Sequence, residues 1–162
     1  MNIKVLFLVY FTFYNYCFSQ NKFEKLELNH SNSIIIGSHV KITIEPVKIG
    51  KQRMKIAVES KKKNNYSRNL SKKEYAAIEE AVLKFNPKIL YIISDNGKDT
   101  LTTNCIDGYS TDMTIFKNNK KETYFINCLS KMDNYKKKRK DFWYVAKLIF
   151  EAGNVRLKEL ED

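Results

Sequence analysis

Histidine, cysteine, glycine, proline and tryptophan are all scarce in this 162-residue chain, with 2, 3, 5, 2 and 1 copies. Each shortage excludes something. Five glycines and two prolines are too few for a collagen-like or linker-like chain, and no glycine-rich loop exists to cradle a phosphate. A tetrahedral zinc site wants four ligands at short spacings; here Cys105 and Cys128 stand apart, and His30 and His39 form no H-x(3–5)-H pair. Asp107, Asp112, Asp95 and Asp99 lack the D-x-[DN]-x-[DN]-G order of a calcium loop. Ser110 lacks the G-x-S-x-G elbow, and nothing beside Cys105 would lower a nucleophilic thiol. The residues present therefore name no catalytic residue, metal ligand or cofactor.

What is plentiful is charge of one sign and apolar bulk. Lysine and arginine number 29 against 18 acids, for a net charge of +11, and hydrophobic residues make up 43% of the chain, enough for one core. The cations are mostly lysine, with four arginines, beside abundant Asn, Ile, Tyr and Phe. All are residues with A/T-rich codons, and arginine, the better fork for phosphate oxygens, is the rarer cation. The surplus thus fits solubility as well as a polyanionic partner.

The first twenty residues, MNIKVLFLVYFTFYNYCFSQ, place one early cation, Lys4, before an apolar run from Val5 to Phe18 and small Ser19. That is the layout of a secretory signal peptide over residues 1–19, and the run is shorter than the roughly 20 residues of a spanning helix. Bulky Tyr16 before Cys17 argues against a lipid-modified cysteine. Cleavage after Ser19 leaves 143 residues with 28 basic and 18 acidic side chains, a mature charge of +10. It also leaves Cys105 and Cys128 as an even pair in an oxidising compartment, periplasmic or extracellular, which points to a disulfide.

The remaining chain reads as one α+β domain over 20–154 with a charged tail at 155–162. KFEKLEL alternates weakly through Phe23, Lys25 and Glu27 as a first strand. HVKITIEP and RMKIAVES put Val40, Ile42, Ile44 and Met54, Ile56, Val58 on single faces and form a hairpin around Gly50. KKKNNYSRN reads as a polar connection. Ser71 and Glu74 have capping-box spacing at the head of a helix over 71–86, whose stripe is Tyr75, Ile78, Val82 and Phe85. KILYIIS, TLTTNCI, YSTDMTIF and ETYFINCL then follow as a meander, with turns at Asn96-Gly97, Asp107-Gly108 and Asn118-Asn119. Tyr109, Thr111, Met113 and Ile115 share one side of the third strand. A final helix, DFWYVAKLIFEAGN, has Asp141 as its cap and Gly153 as its stop. The expected architecture is an antiparallel sheet with both helices packed on one face.

The pairing of Cys105 with Cys128 meets a geometric difficulty. Were Asp107-Gly108 a two-residue turn, Cys105 would pair opposite Ser110 while a turn at Asn118-Asn119 puts Cys128 opposite Tyr109, so the two cysteines would lie two strands apart, about 9.5 Å, beyond the roughly 7 Å of Cα separation a disulfide tolerates. The export signal is given precedence, and Asp107 and Gly108 are read as a bulge or corner that swings Cys105 toward Cys128. Closing a loop of about 24 residues would contribute roughly 3 kcal/mol.

CIDGYST, a strand, a turn, a returning cysteine and a last amphipathic helix together resemble small exported bacterial proteins of unknown function, over residues 70–152. That resemblance implies export and supplies no activity. Three functional classes remain. The first is a non-enzymatic binding or accessory domain acting on a protein or envelope component. The second is a basic polyanion or anionic-surface binder using Lys61 to Lys63 and the run Lys136, Lys137, Lys138, Arg139 and Lys140, with no specific nucleic acid as partner. The third is a hydrolase using His30 or His39 with Asp107, Asp112 or Ser110. Trp143 is read either as core or as an exposed binding anchor. His39, at a strand start, and His30, in a polar loop, are expected to face solvent.

Overall fold

The computed structural model describes residues 23–32, 38–47, 53–61, 65–87, 92–93, 100–101, 108–137 and 139–157. Residues 1–19, read above as a signal peptide and including Cys17, lie outside them, as do Cys105, Asp107 and Lys138. Six strands form one antiparallel sheet: β1 Lys25–Asn32, β2 Val40–Pro46, β3 Met54–Ser60, β4 Tyr66–Asn69, β7 Tyr109–Lys117 and β8 Lys120–Asn127, in the order β4-β3-β2-β1-β7-β8. A separate two-stranded ribbon pairs β5 Ile92–Ile93 with β6 Thr100–Leu101. Two helices, α1 Lys72–Lys84 and α2 Lys140–Ala152, cover one face of the large sheet. No helix among the described residues is long and apolar enough to cross a membrane.

Register explains the core. Leu28 lies opposite Ile42 on β2 and Met113 on β7, and Ile42 lies opposite Val58. Successive residues of a strand point to opposite faces, so this row and the next, Leu26, Ile44, Ile56 and Ile115, all face the helices. The inward set of β1 is therefore Leu26, Leu28 and His30, one residue out of phase with the Phe23, Lys25, Glu27 alternation. A shift of one residue exchanges the two faces, and here the longer aliphatic set wins the core. Phe23, just before the strand, is buried as well and meets Tyr75 of α1 edge to face.

The YSRN segment is an edge strand rather than a polar connection. Its pairing with β3 sets Val58 opposite Tyr66 and Ile56 opposite Arg68, which turns both side chains toward the helical layer. The Tyr66 hydroxyl donates to the Gly153 carbonyl. Arg68 donates to the Ala152 carbonyl at 2.7 Å and forks onto Glu74 at 2.5 and 3.1 Å. One edge-strand arginine thus ties the end of α2 to the start of α1.

At that start the capping box is present in both directions: Glu74 N–H to Ser71 Oγ at 3.2 Å and Ser71 N–H to Glu74 Oε2 at 2.8 Å. The Arg68 hydrogen bonds hold the Glu74 carboxyl down at about 2 against an ordinary 4.5.

Helix α2 begins two residues earlier than a cap at Asp141 implied, with Arg139 at the cap position and Asp141 inside the first turn. Its end is a Schellman motif: Asn154 N–H reaches Glu151 O and Val155 N–H reaches Phe150 O, both at 2.9 Å. The left-handed residue is Asn154, at φ 45°, not Gly153 at φ −78°. Gly153 serves close approach instead. A Cβ there would stand 3.0 Å from Ile42 Cδ1 and 3.3 Å from Val58 Cγ2. Beyond it Val155 and Leu157 pack back on the core, so the tail is docked at least that far.

Candidate binding surface

Between the sheet and α2 the chain makes a turn that carries most of the local charge. Residues 131–140, KMDNYKKKRK, hold six basic side chains and one acid. After β8, Cys128 adopts φ 52° and its N–H bonds Tyr109 O at 3.0 Å. Leu129 is buried, and a 3-10 turn runs Lys131–Tyr135. Asp133, fully buried, is its hub. Its carboxylate accepts from Ser130 N–H at 2.9 Å, Arg139 Nη1 at 3.0 Å and Lys136 Nζ at 3.0 Å. Arg139 Nη2 also donates to the Asn127 carbonyl at 2.6 Å, which fastens the turn to the end of β8.

A 3-10 helix has three residues per turn, so positions i and i+3 stand one above the other. Asp133 and Lys136 share one ridge, and Met132 and Tyr135 share another. Asp133 points inward, while Met132 is 58% exposed and Tyr135 is 78% exposed. Lys131, Lys137 and Lys140, close by in the chain, are exposed as well. The basic run is therefore not one uniform patch. Arg139 and Lys136 are engaged by the buried carboxylate, and among the described residues of the run Lys131, Lys137 and Lys140 are exposed beside them. Lys131, Met132 and Tyr135 escaped the sequence reading, although Ser130-x-x-Asp133 carries a capping-type spacing that marks a local turn start.

Trp143 is no anchor on this surface. It is buried in α2's core face, with Lys147 Nζ 5.0 Å from its ring centroid, and among the described residues its indole N–H has no hydrogen-bond partner. The ring is large enough that its packing area outweighs one orphaned donor.

The histidines part company. His39 is exposed, as its place at a strand start suggests. His30 is not in a polar loop: it lies on β1, 4% exposed, with Nδ1 hydrogen-bonded to Thr111 Oγ1 at 2.9 Å and its ring edge-on to Phe150. Ser110 and Asp112, its suggested hydrolytic partners, flank Thr111 on β7 and so point to the opposite face of the sheet. There Asp112 accepts from Asn29 Nδ2 at 2.7 Å and Ser110 pairs with Ser31. The sheet itself keeps the His30 imidazole and the Asp112 carboxylate apart.

The same outer face carries Glu27 between Lys25 at 2.7 Å and Lys41 at 3.6 Å. Partial burial pushes the Glu27 pKa up, but the two ammonium groups outweigh it and the net direction is down. Among the described residues no three His, Cys, Asp or Glu side chains gather as a metal-binding group.

Gly108 takes φ 64°, the left-handed torsion asked of it at the DG corner. Cys105 and Asp107 fall outside the described residues, so their part in that corner does too. No family model matches this chain, and no curated protein matches it.

Proposed function

We propose that this chain is an exported, non-enzymatic binding or accessory domain that acts on a protein or envelope component through the turn at 131–140. One observation carries the reading: a buried carboxylate, Asp133, spends its three hydrogen bonds on holding a turn whose outward ridge is Met132 and Tyr135 amid lysines. A solvated loop needs no such scaffold. Large apolar tips cost hydration when left in water, and aromatic side chains ringed by polar groups are typical of interface centres.

Export rests on the leader at 1–19 and on the resemblance to small exported bacterial proteins. A Cys105–Cys128 crosslink belongs to the same reading. It is supported by the even cysteine count after leader removal. Binding of a soluble polyanion by charge alone is the weaker alternative, because Lys136 and Arg139 are already committed to Asp133.

The test is to express the full chain in a bacterial host, sequence the N-terminus of the fractionated protein, and measure retention on envelope extracts against Lys131→Glu/Lys137→Glu. The expected result is a mature N-terminus at Gln20 and retention that the double variant loses. A cytosolic chain with its leader intact, or retention indifferent to the variant, overturns the reading.

A further inference from the structure

We infer that the partner of this turn is an anionic lipid bilayer surface, touched by Met132 and Tyr135 with Lys131, Lys137 and Lys140 around them. The inference rests on the binding role proposed above and names its partner.

Two properties have to be explained together. The exposed lysines favour any anion: a polysaccharide, an acidic protein or a lipid headgroup. The tips discriminate. Met132 and Tyr135 sit on one ridge of a 3-10 turn, which rises about 2 Å per residue. They therefore project side by side, as a short apolar edge with one phenol hydroxyl. A hydrated polysaccharide offers such an edge nothing to displace water with. A bilayer interface supplies both halves at once: headgroup phosphates at the depth of the lysines, and hydrocarbon a few ångströms below for the thioether and the ring. Tyrosine, with an apolar body and a polar tip, is enriched at that boundary. Lysine can lay its stem along the apolar phase while its ammonium stays at the phosphates.

The hub fits this use. Penetration by so small an edge is worthwhile only if the turn does not have to be ordered on contact, and Asp133, Ser130, Arg139 and the Asn127 carbonyl fix it beforehand. The binding is peripheral. Each outward lysine contributes roughly five-fold to partitioning onto an acidic bilayer, so three give about a hundred-fold, lost as salt screens them.

The experiment measures co-sedimentation of the mature protein with vesicles of phosphatidylcholine alone or of seven parts phosphatidylcholine to three of phosphatidylglycerol, with heparin affinity in parallel. Melting curves confirm that each variant is folded. The expected result is at least ten-fold stronger partitioning to the acidic vesicles. Met132→Ser/Tyr135→Ser should lose about ten-fold on vesicles and keep its heparin affinity, while Lys131→Glu/Lys137→Glu should lose both. A Tyr135→Trp variant gives a second readout: its added emission should shift to the blue on acidic vesicles and be quenched by brominated acyl chains.

If Met132→Ser/Tyr135→Ser binds vesicles as well as the parent and Tyr135→Trp shows no shift, the turn is a polyelectrolyte contact and the membrane inference is overturned. If vesicles are ignored but envelope-extract retention is lost with Lys131→Glu/Lys137→Glu, the partner is a protein; the inference falls and the binding role stands. If no readout responds to the lysine variant, both fall.

Discussion

Removing one charge, Glu74→Gln, tests whether the two helices are joined through the edge strand. The glutamate accepts both forks of Arg68 and the Ser71 N–H, and Arg68 in turn holds the Ala152 carbonyl of α2. Glutamine keeps the shape and an oxygen for the cap, so the change isolates the charge. The Glu74 carboxyl is held at about 2 against an ordinary 4.5, first by the Arg68 hydrogen bonds. At about 1.4 kcal/mol per pH unit that difference has an upper bound of roughly 3 kcal/mol. The pair is not buried: its side chains are 39% and 34% exposed, so water and salt screen it. Discounting by half or more leaves about 1–1.5 kcal/mol.

The pKa is depressed on folding, so the stabilisation is fully present above about pH 4.5 and fades as pH falls toward 2. Thermal melts of parent and Glu74→Gln should differ by about 3–7 °C at pH 7 and converge near pH 2. A double-mutant cycle with Arg68→Ala should show coupling of the same size at pH 7. A difference that persists unchanged at pH 2, or a coupling below about 0.3 kcal/mol, would refute the electrostatic clamp.

Four further outcomes are expected. Gly153→Ala should cost about 1–3 kcal/mol in denaturant unfolding, because its methyl meets Ile42 and Val58, while Asn154→Gly should gain about 0.5–1 kcal/mol by relieving a left-handed asparagine. Asp133→Asn should destabilise by about 2–4 kcal/mol in the same measurement, since it leaves Arg139, whose side chain is 16% exposed, without its counter-charge. Thiol titration of denatured, unreduced mature protein should find no free thiol, and reduction should lower stability by about 3 kcal/mol; two reactive thiols would remove the crosslink from the account.

Some local geometry was legible because it depends on near neighbours. Asn118 and Asn119 take φ 52° and 58°, as a two-residue hairpin turn demands, and the register they set carries Cys128 opposite Tyr109. Other elements depend on partners far along the chain. YSRN has no apolar alternation to read, since all four residues are exposed, yet β3 makes it a strand and aims Arg68 at both helices. His30 looked like a solvent-facing loop residue because Asn, His and Ser flank it. Thr111, 81 positions away, gives it a place in the core. The turn at 131–140 was half visible: the lysines show in the sequence, but which of them Asp133 consumes does not.

What the sequence alone determined is the repertoire: a basic chain, alternating strands, a boxed helix start and an apolar closing helix. These follow from periodicity and from groups within a few residues of each other, which each stretch of chain carries with it. Tertiary structure alone decided the strand order β4-β3-β2-β1-β7-β8, the face on which His30 and Asp112 are separated, and the outward projection of Met132 and Tyr135. Those are consequences of pairing across the chain, where burying the aliphatic rows of β1, β2, β3 and β7 against two helices fixes every other side chain by default.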